Sequence, residues 1–274
     1  MRVGVPKEIK THEYRVGIIP ANVRELVYRG HKIMVQKNAG LEVGFSDTSY
    51  QEAGAILVDT AEEVFHWGDF IIKVKEPETS ELGLLREDQI LFTYLHLAAA
   101  PEQTKKLINS GCIAIAYETV TDDFGGLPLL APMSEVAGRM SIQVGANCLE
   151  REQGGAGILL GGVPGVSAAK VVVLGGGVVG ANAARMAIGL GASVTIIDKS
   201  LSRLNELDMR FGATLKTTFA TMEAIEQSVM DADLVIGAVL VPGASAPKLV
   251  SREIVRQMGL GSVVVDVAID QGGC

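Results

Sequence analysis

The sequence contains few cysteines and aromatic residues, no long apolar run and no excess of basic charge. Its three cysteines, Cys112, Cys148 and Cys274, form an odd set without metal-ligand spacing, so we expect no metal site, no disulfide framework and a cytoplasmic location. No segment approaches the roughly 18 apolar residues of a membrane helix, and the first residues predict a strand rather than a signal peptide. Lys plus Arg number 24 against 32 Asp plus Glu, and this negative balance argues against a nucleic-acid partner.

Short apolar strands alternate with helical stretches along the whole chain, and 48% of the residues are hydrophobic, enough for a large buried core. The predicted strands are residues 3–5, 32–36, 70–74, 89–93 and 113–116, then 171–174, 193–197, 234–238 and 262–266. Strands separated by helices form βαβ units and mostly parallel sheets. We therefore predict an α/β fold of two doubly wound, Rossmann-like domains, over residues 1–130 and 131–274.

A long helix is predicted to join these two domains. Pro132 opens a proline-free run from Met133 to Arg151, with Ser134 as a possible N-cap. We count this connecting helix, residues 133–151, with the second domain. The glycine-rich stretch 154–165 that follows predicts a tightly turning connection.

The sharpest motif is the run Gly-Gly-Gly-Val-Val-Gly at residues 175–180, between a predicted strand and a predicted helix. In dinucleotide-binding proteins the first glycine of such a turn permits a sharp bend, the second admits the pyrophosphate, and the third allows close packing of helix on strand. Gly175, Gly177 and Gly180 stand at these positions. The N-terminal end of the helix adds partial positive charge toward the phosphates.

An acidic residue, Asp198, ends the next predicted strand, close to the expected distance from the glycine turn. Its carboxylate can accept hydrogen bonds from a ribose 2′-hydroxyl and would repel a 2′-phosphate, so NAD is favoured over NADP. Arg203 complicates this prediction, because a nearby arginine can accept a 2′-phosphate.

Basic side chains in the first domain lie where ligands bind to parallel sheets, beyond the carboxyl ends of strands. His96 follows a predicted strand and is either an acid/base group or a hydrogen-bonded, partly buried histidine. Lys73 and Lys75 follow another strand, where one cation could hold a substrate carboxylate, or both could form an exposed strand end. Arg15 could grip a carboxylate in bidentate fashion or form a surface salt bridge.

Two carboxylates compete for a role at the end of the last predicted strand. Asp270 would face the nicotinamide end of a dinucleotide site, and strand periodicity places Asp266 on the same side. Composition alone leaves this choice open.

Motifs spanning nearly the whole chain resemble those of the alanine dehydrogenase family. They are residues 4–8, 13–16, 74–77, 91–98, 132–134, 161–166, 175–180, 237–243 and 265–273. The resemblance implies reversible oxidative deamination, in which L-alanine, water and NAD give pyruvate, ammonium and NADH. It also implies a homo-oligomer, typically a hexamer. The negative charge and the lack of a long apolar run, rather than the resemblance, predict no nucleic-acid or membrane partner.

The resemblance also implies a role for individual residues. His96 would be the general acid/base, Asp270 would orient the attacking water or ammonia, and Arg15 with Lys75 would bind the substrate carboxylate and carbonyl. The NAD site would comprise Ser134, Gly175, Gly177, Val178, Val179, Gly180, Asp198, Arg203, Val239, Leu240, Val267, Ala268, Ile269 and Asp270. We expect His96 and the dinucleotide to meet across a cleft between the domains.

The chain departs from the family pattern in two respects. The family continues beyond Cys274, so we interpret the chain as a truncated form that lacks part of the cofactor pocket, and Ala220 replaces a usual serine near the adenosine. Two alternatives to an alanine dehydrogenase remain, the first because it shares the early motifs and the glycine turn, the second because of the truncation. One is the NAD(H)-binding part of a proton-pumping transhydrogenase, which lacks the Thr-Tyr-Leu-His stretch around His96, and the other is a catalytically inactive nucleotide-binding module.

Overall fold

The chain folds into two units, Met1–Leu129 and Leu130–Cys274. The structure is a computed structural model that describes residues 1–239, 246–269 and 272–274. Each unit has one sheet flanked by helices, and all strand pairings within the two sheets are parallel. The prediction of two Rossmann-like α/β domains with parallel sheets is confirmed.

The first unit has a six-stranded sheet in the order β3-β2-β1-β4-β5-β6. Its strands are β1 (Arg2–Val5), β2 (Lys32–Gln36), β3 (Ile56–Val58), β4 (Phe70–Ile72), β5 (Ile90–Thr93) and β6 (Ile113–Ala116). Its helices are α1 (Pro20–Tyr28), α2 (Asp47–Glu52), α3 (Ala61–Trp67), α4 (Thr79–Leu82) and α5 (Pro101–Ser110). The winding reverses between β1 and β4, and open α/β sheets bind ligands at this kind of switch point.

Two apolar clusters cover the two faces of this sheet. Ile33 and Val35 of β2 belong to one cluster, with helices α1 and α2, and Met34 between them belongs to the other. This division follows from strand geometry, since successive side chains point to opposite faces. Burial on both faces leaves the chemistry to the loops at the strand ends.

The second unit has a five-stranded sheet in the order β11-β10-β7-β8-β9. Its strands are β7 (Lys170–Leu174), β8 (Ser193–Asp198), β9 (Leu215–Phe219), β10 (Leu234–Gly237) and β11 (Val263–Asp266). Its helices are α6 (Ala131–Cys148), α7 (Val178–Gly189), α8 (Leu201–Phe211), α9 (Met222–Met230) and α10 (Arg252–Val255). The switch point here lies between β7 and β10, directly before the glycine turn.

The long helix differs from its predicted form at both ends. It spans Ala131–Cys148 rather than residues 133–151, and a short 3₁₀ helix, Arg151–Gln153, follows it. Ser134 is not the N-cap, because the helix begins three residues earlier, at Ala131. Leu130 is the N-cap, and a proline lies in the first turn. Helix α6 packs against α7, and a β-carbon at Gly138 would overlap the Val179 carbonyl oxygen.

Neither a membrane-spanning helix nor a metal-binding cluster is found in the part of the chain that the structure describes. None of its helices is long and apolar enough to cross a membrane. Its His, Cys, Asp and Glu side chains form no cluster of three or more that could hold a metal ion.

Candidate functional site

A buried ion-pair network lies at the switch point of the first sheet. Lys73 Nζ lies 3.1 Å from Glu8 Oε2 and 2.8 Å from Glu81 Oε1, and none of the three side chains is more than 3% exposed. Burial raises the pKa of Glu8, although the Lys73 charge and the Val74 N–H oppose the shift. Lys73 is therefore a structural cation, and the interpretation of this position as an exposed strand end is wrong.

We expect Lys73→Met to lower the free energy of unfolding by about 3–5 kcal/mol, because it leaves two carboxylates buried without their cation. Urea denaturation measures the loss. Lys105→Met is the matched control, since the Lys105–Glu102 pair is 68% and 80% exposed. Loss of this exposed ion pair should lower the free energy of unfolding by no more than about 1 kcal/mol. Equal losses in the two variants would contradict the structural role of Lys73.

The backbone of Lys75 is held from two sides at the end of β4. Glu8 Oε1 accepts hydrogen bonds from the Val74 N–H at 2.6 Å and, more weakly, from the Lys75 N–H at 3.4 Å. The buried Thr93 hydroxyl donates to the Lys75 carbonyl oxygen at 2.8 Å. Thr93 is the last residue of β5, and His96 follows it by three residues. The end of β5 therefore lies next to Lys75 and leads directly into His96.

Arg15 is gripped by a neighbouring carboxylate. Its Nε and Nη2 donate to Glu13 Oε1 and Oε2 at 2.8 Å and 2.6 Å. Burial raises the pKa of Glu13, but the hydrogen bonds from Arg15 and the charges of Arg15 and Lys75 outweigh it, so the net shift is downward. Arg15 and Lys75 thus act on the same ionised carboxylate, and the salt bridge considered from the sequence is present.

His96 adopts a left-handed backbone conformation, with φ of 51°. Its N–H and that of Leu95 donate to Glu118 Oε1 at 2.7 Å and 3.1 Å, and the Tyr94 ring stacks on the imidazole with centroids 6.2 Å apart. A left-handed residue other than glycine costs about 1–3 kcal/mol and persists only where its surroundings fix it. Glu118 is therefore a positioning residue for the half-buried His96.

The glycine turn of the second unit has the geometry of a phosphate cradle. Gly175 has φ of 98°, and a β-carbon there would lie 2.8 Å from the Ala238 carbonyl oxygen. A β-carbon at Gly180 would overlap the Gly175 carbonyl oxygen, whereas one at Gly177 would have no atom within 4 Å. The turn, the open space at the start of α7 and the close helix packing all fit a dinucleotide.

Asp198 and Arg203 both bind the backbone of Gly176 in this turn, one at its N–H and the other at its carbonyl oxygen. Gly176 N–H donates to Asp198 Oδ2 at 2.7 Å, and Arg203 Nε donates to the Gly176 carbonyl oxygen at 2.5 Å. Ser200 N–H donates to the other Asp198 oxygen at 2.8 Å. The structure therefore brings together the acidic residue, the arginine and the turn, and Ala220 N–H donates to the Asp198 carbonyl oxygen nearby.

The other described residues of the predicted NAD site lie around this turn. Val178 and Val179 begin α7, and Ser134 lies on α6 one turn before Gly138, which packs against Val179. Val239 follows β10 and lies beside Gly175.

Residues 267–269 follow β11, and Val267 N–H donates to the Gly237 carbonyl oxygen at 2.9 Å. Leu240 and Asp270 lie outside the described residues. The competing carboxylate, Asp266, accepts hydrogen bonds from Ala268 N–H at 3.0 Å and Cys274 N–H at 2.9 Å.

Sequence reasoning did not identify the side chains that hold the predicted site residues. These are Glu8, Glu13, Thr93, Glu118 and Glu206, whose carboxylate pairs with Arg203. Local spacing could have revealed two of them, because Glu13 precedes Arg15 by two residues and Glu206 follows Arg203 by one helical turn.

Comparisons with known proteins identify the family of the chain. The N-terminal domain model of the alanine dehydrogenase/PNT family matches residues 4–137, and the C-terminal domain model matches residues 141–274. The chain is 58% identical over 274 residues to the alanine dehydrogenase of Halomonas elongata and 54% identical to that of Mycobacterium tuberculosis. In each case the alignment covers 100% of this chain and 74% of the relative.

Solved structures give the same result. An L-alanine dehydrogenase superposes with a TM-score of 0.92 at 54% identity, covering 100% of this chain and 76% of that one. A transhydrogenase from Sinorhizobium meliloti superposes with a TM-score of 0.84 at 27% identity, covering 100% and 80%. With both domains matched in order and several relatives above half identity, the chain belongs to the alanine dehydrogenase/PNT family of enzymes.

Proposed function

We propose that the protein catalyses NAD-dependent, reversible oxidative deamination of L-alanine. L-alanine, water and NAD⁺ give pyruvate, ammonium, NADH and a proton. The observation that carries this proposal is the open glycine cradle at the start of α7 with Asp198 fixed beside it, in a chain 54–58% identical to alanine dehydrogenases. A homohexamer, implied by the family resemblance, is part of the proposal, and sedimentation velocity measures it.

The nucleotide would be held by residues of the second unit. The N–H groups at the start of α7 face its phosphates, the space at Gly177 lets the pyrophosphate approach, and Asp198 accepts from a ribose hydroxyl. Leu240 and Asp270 belong to the proposed site through the family resemblance. When bound, NAD⁺ supplies the acceptor for the hydride that leaves the substrate α-carbon.

The substrate would be held by the cations of the first unit. Arg15, whose guanidinium Glu13 orients through Nε and Nη2, would attract the substrate carboxylate by its charge, and Lys75 would offer a point charge for the carbonyl oxygen. His96 would take a proton from the attacking water and return it to the departing amine, while Asp270 would orient that water. Glu13, Thr93 and Glu118 hold the binding and acid/base groups in place, which reduces the entropy lost in reaching the reactive arrangement.

The direct test is turnover by the purified chain in both directions. NADH fluorescence should rise with L-alanine and NAD⁺, and should fall with pyruvate, ammonium and NADH. A sample that binds NADH but catalyses the reaction in neither direction would contradict the proposal and favour an inactive nucleotide-binding module.

Asp198→Ala should relax the choice of nucleotide. We expect NADH affinity to fall by about tenfold or more, since a hydrogen bond to a charged group contributes about 1.5–3 kcal/mol. NADPH affinity should rise, because the carboxylate that repels the 2′-phosphate is gone. Fluorescence titration measures both, with Asp208→Ala on the exposed side of α8 as control. An unchanged NADH/NADPH ratio would count against the ribose role.

The alternative function, the NAD(H)-binding part of a transhydrogenase, has weaker support. The structure of that class is 27% identical to this chain, against 54% for the L-alanine dehydrogenase. The higher identity and the presence of His96 favour the deaminase.

A further inference from the structure

Arg203 stands where a Rossmann domain can bind a 2′-phosphate, yet its guanidinium is already engaged. Arginines near the end of the second strand of such domains commonly accommodate the extra phosphate of NADP. Here α8 begins three residues after β8, and Arg203 lies in its first turn. The residue therefore has the position, and the charge, to oppose the selectivity that Asp198 imposes.

Two contacts determine where this guanidinium points. Nε donates to the Gly176 carbonyl oxygen at 2.5 Å, and Nη1 lies 2.6 Å from Glu206 Oε2. The first contact keeps the guanidinium against the glycine turn. The second places a carboxylate on the same guanidinium, one helical turn further along α8.

Stability alone does not explain the Arg203–Glu206 pair. The two side chains are 25% and 61% exposed, and exposed pairs of this kind contribute little to folding. Their effect on an anionic ligand is different in kind. A second negative charge beside Arg203 offsets the attraction that this cation would exert on a 2′-phosphate, and the carboxylate occupies a donor that the phosphate would use.

We propose that Glu206 is a specificity-determining residue, whose carboxylate occupies the Arg203 guanidinium in place of a 2′-phosphate and so excludes NADP. The proposal rests on the proposed function, namely that the glycine turn binds NAD(H). Two residues would then act together to exclude NADP. Asp198 repels the phosphate directly, and Glu206 withholds the cation that would compensate for that repulsion.

The test measures nucleotide binding rather than turnover. NADH and NADPH are titrated by fluorescence into the full chain carrying Glu206→Gln, which keeps the size of the side chain and removes its charge. We expect the Kd for NADPH to fall by about two- to fivefold, the range set by an exposed ion pair, with the Kd for NADH unchanged. Arg203→Gln in the Glu206→Gln background should abolish the gain, because the cation is the group that Glu206 releases.

Asp208→Asn is the matched control. It removes the same charge from the exposed surface of the same helix, away from Arg203. An equal NADPH gain in this control would show a general charge effect and would overturn the proposal. So would an unchanged Kd for NADPH in Glu206→Gln with normal NADH binding, a result that leaves the proposed function intact. Failure of the unmodified chain to bind NADH would instead overturn the proposed function together with this inference.

Discussion

Replacing His96 with asparagine should lower kcat for L-alanine deamination by about 10²–10⁴-fold, the usual contribution of a general acid/base group. Asparagine is the informative choice because His96 has φ of 51°, and asparagine tolerates the left-handed region better than most residues. The backbone hydrogen bonds to Glu118 should therefore survive the change. Steady-state kinetics measure the loss, and NADH titration should give an unchanged Kd.

His66→Asn controls for this experiment, because His66 is exposed on α3 and has no proposed role. It should retain the full rate. Full activity in His96→Asn would contradict the acid/base role and would revive the transhydrogenase alternative.

Gly180→Ala should abolish measurable NADH binding and destabilise the second unit by several kcal/mol. The added methyl group would overlap the Gly175 carbonyl oxygen, which is backbone and has no alternative rotamer. Forcing extra carbon into packed structure costs about 1–3 kcal/mol even where neighbouring side chains can adjust. Relief here requires α7 to separate from β7, which moves the N–H groups that we propose to bind the phosphates. Thermal unfolding and NADH titration measure the two effects.

Two other glycines separate the packing effect from the binding effect. Gly177→Ala meets no atom within 4 Å, so it should fold normally and still bind NADH weakly, because its methyl group enters the space proposed for the pyrophosphate. Gly189→Ala, at the end of α7, is equally unobstructed. It should stabilise the helix by up to about 1 kcal/mol and leave binding unchanged. Normal NADH binding by Gly180→Ala would refute the packing argument.

Residue pattern predicted every described strand except β3 and β9. The predicted strand at residues 171–174 is apolar and buried on both faces, and the structure confirms it within β7. Strand β3 is apolar but has only three residues, and β9 has Lys-Thr-Thr between its apolar ends, so neither contains a long apolar run. Both are edge strands, and each pairs with a single neighbour, β3 with β2 and β9 with β8.

In the candidate site, too, the sequence predicts what local spacing determines and not what depends on long-range contacts. Asp198 could be placed near the glycine turn because the βαβ unit fixes the spacing between them. The partners of the other site residues could not be placed, since Glu8 reaches Lys73 across 65 positions and Glu118 reaches His96 across 22. Sheet order puts β1 beside β4 and β5 beside β6, and local sequence carries no record of that order.

Gly176, whose N–H is bound by Asp198 and whose carbonyl oxygen is bound by Arg203, has a consequence for evolution and engineering. A lineage that exchanges the aspartate to gain a new coenzyme also releases one of the two anchors of the loop. Its first step then carries a structural penalty unrelated to the coenzyme. Changes of coenzyme preference in this scaffold should therefore require paired substitutions. One replaces the aspartate, and the other restores the lost anchor of the loop.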